Sequence, residues 1–184
     1  MLLVVAATDR ELVFVDGADK FCCGIGPVES ALQTARALED RRPRAVLHVG
    51  IAGARGIDPP ELVLGSEAVY WDIVDPTSTM LRVTSVEPDA NLLEAARQAL
   101  PHAHVLPIAT CARVGGAAGA QVEAMEGFSV LRAALLAGIP ALELRAVSNH
   151  PEENDRRQWR IEEAFTALAG ALPRLLERLA ATLT

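Results

Sequence analysis

The sequence predicts an α/β fold, and three observations carry that expectation. Short apolar runs alternate along the chain with segments whose apolar residues recur at helical spacing, the pattern of strands and helices laid down in turn. Glycine- and proline-bearing turns punctuate them. Hydrophobic residues make up 51% of the chain and charged residues 22%, with few aromatics, so the core is built mainly from Ala, Val, Leu and Ile. A chain of 184 residues can bury most of its apolar surface around one core, and residues 1–184 are expected to form a single domain.

Residues 1–7 are apolar throughout and read as a buried first strand. Residues 13–15 and 20–24 flank Asp16-Gly17 and read as two short strands joined in a hairpin. Gly24-Ile25-Gly26 lacks the third glycine of a dinucleotide fingerprint, so it is taken as a tight strand-to-helix turn. A helix is predicted from Pro27 to about Asp40, with Val28, Ala31, Leu32, Ala35 and Leu38 on its core face and Pro43 ending it. Arg41, Arg42 and Arg44 read as its solvated, dipole-favoured end.

Residues 44–54 follow as a buried strand ending in a glycine loop, Gly50-Ile51-Ala52-Gly53, and residues 62–73 as an extended stretch. Residues 88–100 show helical spacing, and 104–111 are a further strand. The next helix, 125–137, is closed by Gly138. A strand over 139–148 leads into a polar loop over 149–157, and a last helix over 158–183 is expected to break or kink at Pro173.

The formal charge of −7 and the scattered basic residues exclude a phosphate backbone as partner, which needs clustered Lys and Arg. The apolar N-terminal run is too short for a membrane span and lacks the basic start of an export signal. Cys22, Cys23 and Cys111 are odd in number and lack zinc-site spacing; they read as small buried hydrophobes in a cytoplasmic protein. His102, His104 and His150 show no metal-ligand spacing, and neither metal nor cofactor is expected. In α/β sheets ligands lie beyond the carboxyl ends of the strands. That rule predicts that residues 8–11, 50–53, 111–116 and 148–149 converge on one pocket.

Particular residues carry a family resemblance. Residues 24–31 (GIGPVESA), Pro43-Arg44-Ala45-Val46 leading to Gly50-Ile51-Ala52-Gly53, residues 62–70 (LVLGSEAVY) and residues 122–127 (VEAMEG) resemble, in this order, the purine nucleoside phosphorylase and nucleosidase superfamily. Residues 145–149 (RAVSN), followed by Asp155-Arg156 and Gln158-Trp159, are similar to its futalosine hydrolase branch. The resemblance implies a three-layer α/β/α domain with a mixed central sheet, a small-molecule purine nucleoside as substrate, and a homo-oligomer, dimer or larger. Two segments, 12–20 and 112–122, are shorter than the family pattern.

The resemblance also implies roles. Cleavage of a ribosyl bond passes through an oxocarbenium-like state that needs a placed nucleophile, a stabilised cation and a neutralised leaving base. Glu11 falls where the nucleosidases carry the glutamate that orients and deprotonates water, and Glu126 where a carboxylate accepts from the ribose hydroxyls, with Met125 under the sugar. Ala52, Gly53, Arg113 and Val114 fall where the family brackets its substrate, Arg113 and Val114 chiefly through backbone. Adenine nucleosidases carry Asp at the position of Asn149. An amide donates to O6 or N7 where a carboxylate would repel O6, so Asn149 suits hypoxanthine. Phosphorylases carry Arg and Ser where this chain has His48 and Ile51, which implies water as the acceptor. Arg10 or Arg55 keeps phosphorolysis open, and His48 reads as a satisfied strand histidine. A methylthioadenosine or adenosylhomocysteine nucleosidase, a phosphorylase and a purine binder without turnover stand as the alternatives.

Overall fold

The computed structural model describes residues 1–73 and 83–183. Among them, eight strands form one mixed sheet: β1 (Leu2–Ala6), β2 (Asp19–Cys22), β3 (Ala45–Ala54), β4 (Leu62–Tyr70), β5 (Ser85–Val86), β6 (His104–Thr110), β7 (Val122–Ala124) and β8 (Ala141–Asn149). The helices are α1 (Asp9–Leu12), α2 (Pro27–Arg41), α3 (Ala90–Ala99), α4 (Gly127–Leu136) and α5 (Ile161–Thr182), with a 3₁₀ turn over Arg156–Gln158.

β1 lies parallel to β2 on one side and β3 on the other. β8 runs parallel to β3 and antiparallel to β4, β4 pairs with β6, β6 with β7, and β7 returns to the end of β3. The central strands thus close a ring, which leaves β3 and β8 without a free edge. Both sheet faces are covered, and strand alternation divides the core accordingly. Leu2, Val4, Ala45, Leu47 and Val49 pack with α3 and α5, whereas Leu3, Val5 and Val46 pack with α2 and α4. The expected three-layer α/β/α architecture is therefore present.

The predicted hairpin is absent. Residues 13–15 form no strand; they follow α1, and β2 returns parallel to β1, so the connection is a short helical crossover. Side chains anchor this segment: Val15 is fully buried and the Phe14 ring lies 6.1 Å from that of Phe165 on α5. Gly17, at φ +74°, does supply a turn.

α2 occupies the predicted residues but presents a different face. Ser30, Thr34, Ala37 and Leu38 are buried, while Val28 and Leu32 are 69% and 64% exposed. Small residues allow α2 to lie close against α4, and Ser30 satisfies its hydroxyl on the Gly26 carbonyl at 2.8 Å. The large apolar side chains are left outside.

The glycine loop at 50–53 is in fact the continuing strand β3, shifted in register against β8 between Ala52 and Gly53. β5 and β7 were not foreseen, being too short to show a pattern. α4 starts at Gly127 rather than 125 and ends as expected, with Gly138 at φ +69°. α5 starts at Ile161 and runs unbroken through Pro173.

α3 is capped by Asp89, whose carboxylate accepts from the N–H groups of Asn91 and Leu92, both at 3.0 Å. Replacing Asp89 by Ala is expected to lower stability by about 1 kcal/mol, read from urea denaturation.

Candidate active site

The strand ends carry chain segments 8–11, 50–53, 111–116 and 148–149 to one place, where they line a cleft of about 340 Å³. Glu11, Ala52, Gly53, Arg113, Val114, Met125, Glu126 and Asn149, the residues singled out from the sequence, all lie in its wall.

Glu11 is held by its own helix. Its Oε2 accepts from the backbone N–H and the hydroxyl of Thr8, both at 2.9 Å, in the reciprocal arrangement of a capping box. Its Oε1 accepts from the Ile51 N–H at 3.4 Å. Glu126 stands where β7 turns into α4, with Oε1 accepting from the Gly26 N–H at 3.1 Å. Gly24 and Gly26 have φ +81° and +87°, so the turn between β2 and α2 is one that only glycine adopts without strain. This turn serves the cleft.

Arg145 lies between the two glutamates and is 1% exposed. Its Nε donates to Glu143 Oε1 at 2.8 Å, its Nη2 stands 3.6 Å from Glu126 Oε2 and bonds His48 Nε2, and its Nη1 donates to the Ile51 carbonyl at 3.4 Å. A methyl group at Gly50 would overlap Nη1 and come within 2.7 Å of Glu11 Oε1, so the bare glycine is what lets these groups meet.

Burial pushes the Glu126 carboxyl above its ordinary value, and the Arg145 charge opposes that. Burial, with the Arg145 charge adding to it, drives His48 well below its ordinary value. The imidazole is therefore neutral: Nδ1–H donates to the Val5 carbonyl at 3.0 Å and Nε2 accepts from Arg145. Cys23, behind Glu126, is pushed up to about 12 by burial and then by the Glu126 charge, so its thiol is inert.

At the opposite end, Asn149 is 6% exposed. Its Oδ1 accepts from the Ser148 hydroxyl at 2.8 Å and its Nδ2 donates to the His150 carbonyl at 3.1 Å. One Nδ2 proton remains for the cleft. The wall formed by Arg113 and Val114 is tied down by Glu123, which accepts from the N–H groups of Gly115 and, at 3.2 Å, Ala117. The Arg113 carbonyl takes the Gly116 N–H at 3.1 Å while its side chain is exposed. Arg55 lies outside the cleft wall, held by Glu152 and the Ala117 and Ala120 carbonyls. Arg10 does line the cleft, paired with Glu162 and 4.8 Å over the Phe165 ring.

Sequence reasoning missed Glu123 and Glu143 and saw Arg145 only within a longer motif. A signal existed for two of them. Glu143 and Arg145 are charges two apart in the apolar body of a strand, which places both on one face of a buried sheet where they must pair.

The strand ring thus carries a cleft with two buried carboxylates and an arginine at one end and an amide at the other. The chain belongs to the phosphorylase superfamily, whose family model matches residues 20–181. It is 37% identical to the futalosine hydrolase of Streptomyces coelicolor over 87% of this chain and 79% of that protein. A futalosine hydrolase of Acidothermus cellulolyticus is 34% identical over 67% of this chain and 48% of its own length. Among solved structures, 5′-methylthioadenosine/S-adenosyl homocysteine nucleosidase of Helicobacter pylori superposes with a TM-score of 0.84 at 16% identity, over 98% of this chain and 97% of that one. A futalosine hydrolase mutant from the same organism gives 0.77 at 17%, over 98% of each chain. These two likenesses establish the fold.

The carboxyl of Glu126 is expected to titrate above 4.5 in a carbon-detected NMR titration of the folded protein, and Arg145→Gln to raise its midpoint further. The sign for stability follows. A carboxyl raised by folding weakens the fold above its folded pKa, and the penalty fades as pH falls towards the unfolded value.

Proposed function

We propose that the chain is a cytoplasmic nucleosidase, one domain over residues 1–184, that hydrolyses futalosine to hypoxanthine and dehypoxanthine futalosine, a step of menaquinone biosynthesis. The observation that carries this reading is the polarity of the cleft: Glu11, Arg145 and Glu126 at one end, and at the other the Asn149 amide, which has one N–H beyond the one given to the His150 carbonyl. Similarity to futalosine hydrolase over most of the chain supports it.

In this reading Met125 packs under the ribose, Glu126 accepts from its hydroxyls, and the anionic floor stabilises positive charge as the C1′–N9 bond stretches. Glu11 takes a proton from water as the water oxygen bonds to C1′. Electron density moves into the departing purine, where Asn149 Nδ2 donates to O6 or N7; the purine then takes a proton from solvent and Glu11 returns to solvent the one it gained. The His150 carbonyl favours this amide over a carboxylate, because it needs a donor opposite it. Ala52, Gly53 and the backbone of Arg113 and Val114 bracket the substrate. Ile51 supplies no side-chain ligand for phosphate, and Arg10 is already paired with Glu162, so water is the acceptor.

The purified protein should release hypoxanthine from futalosine without phosphate. Adenine release from methylthioadenosine, or strict dependence on phosphate, would replace this reading with the corresponding alternative. Glu11→Gln should lower kcat by about 100-fold or more with KM little changed. Asn149→Asp should shift preference towards adenine nucleosides; an unchanged preference would remove Asn149 from base selection.

We further propose a homodimer through the outer face of α2 and α4. Val28 and Leu32 on α2 and Leu135 and Leu136 on α4 are all more than half exposed, beside stacked Tyr70 and Phe128 rings 5.1 Å apart. This face adjoins Ile25 at the cleft mouth, so a second copy placed there would flank the 5′ end of the substrate. Sedimentation should give twice the 19.6 kDa chain mass, and Leu32→Asp should give monomers.

A further inference from the structure

Resting on the nucleosidase reading above, we propose that Glu143 and His48 are positioning residues that brace the Arg145 guanidinium from behind and aim its remaining donors at Glu11 and Glu126. Neither residue lines the cleft, and both are fully buried.

The parallel register of β3 and β8 brings the group together. It pairs His48 with Glu143 and Gly50 with Arg145, which sets all four on one side of the sheet. Gly50 contributes only space, and the guanidinium fills it. Of the five donors on Arg145, Nε–H goes to Glu143, one Nη2–H to the lone pair of neutral His48, and one Nη1–H to the Ile51 carbonyl. Two donors are left, one on each terminal nitrogen, and these nitrogens are the ones beside Glu126 and Glu11. A guanidinium held on a single edge would swing; held by Glu143 and His48 together it has one orientation.

The arrangement is costly, which a merely structural pair would avoid. Glu143 Oε2 is buried with no hydrogen-bond partner among the described residues, and leaving a buried carboxylate oxygen unsatisfied is unfavourable. Two further glycines make room for it. A methyl group at Gly127 would overlap the Glu143 carboxylate, and one at Gly65 would stand 3.3 Å from its Cβ. Gly127, the last residue of the Met-Glu-Gly motif, thus links the carboxylate facing the cleft to the one behind it.

Glu143→Leu and His48→Leu, assayed on a nucleoside that the parent protein hydrolyses, should each lower kcat by about 100-fold while KM stays within about threefold. Glu143→Gln and His48→Gln keep an acceptor oxygen and should recover to within about tenfold of the parent. In an Arg145→Gln background the same changes should cost no further kcat, because groups acting through one another are not additive. An undiminished kcat in a folded variant, or losses that add to that of Arg145→Gln, would overturn the proposal. The histidine variants carry the cycle should Glu143→Leu fail to fold.

A second readout needs no turnover. The Arg145 Nε–H resonance in a nitrogen-15 NMR spectrum should be protected from exchange in the parent, stay so in Glu143→Gln and exchange freely in Glu143→Leu. A resonance indifferent to Glu143 would sink the brace. Failure of the parent protein to hydrolyse any purine nucleoside would instead remove the nucleosidase reading.

Discussion

One buried guanidinium shared among three buried carboxylates is the constraint on which the rest of the cleft depends. Glu11, Glu126 and Glu143 all surround Arg145, and none is more than 6% exposed. Buried charges of one sign cannot be left unmatched, and breaking a buried pair typically costs about 3–5 kcal/mol. The single cation therefore decides much else. It requires bare glycine at position 50, it adds to the burial that keeps His48 neutral, and it offsets part of the burial penalty on Glu126. A strand ring without free edges is a fitting frame, because the positions of Arg145 and Glu143 in it are set by register.

The two ends of the cleft are built differently. The carboxylate end rests on β3 and β8, the most extensively paired strands, with α1 and the β7–α4 junction closing over it. The amide end combines the last residue of β8 with a loop, 112–121, tied to the sheet by Glu123. The Arg145–Glu143 charge pair thus belongs to the sheet, and the base contacts proposed above belong in part to a loop.

Much of this was legible in the sequence, for identifiable reasons. The long buried strands announce themselves as apolar runs, and the rule placing ligands beyond strand ends found the four segments that meet at the cleft. The hairpin expectation failed because Asp16-Gly17 does mark a turn, yet a turn says nothing about the direction of the strand beyond it. The face of α2 was misread because helical periodicity reports an apolar stripe without saying what it packs against; here small and polar residues face the core. Glu143 escaped notice because its signal, a charge two residues from Arg145 in a largely apolar strand, has meaning only once that strand is known to be covered on both sides.

The capping of α1 has a consequence for proton traffic. Both donors that Thr8 offers Glu11 fall on Oε2, whereas Oε1 accepts the Ile51 N–H at the longer distance of 3.4 Å. A proton drawn from water in each catalytic cycle would settle on Oε1, while Oε2 goes on fastening the helical turn. A base of the kind proposed for Glu11 would thus be loaded and unloaded repeatedly without its own scaffold coming undone.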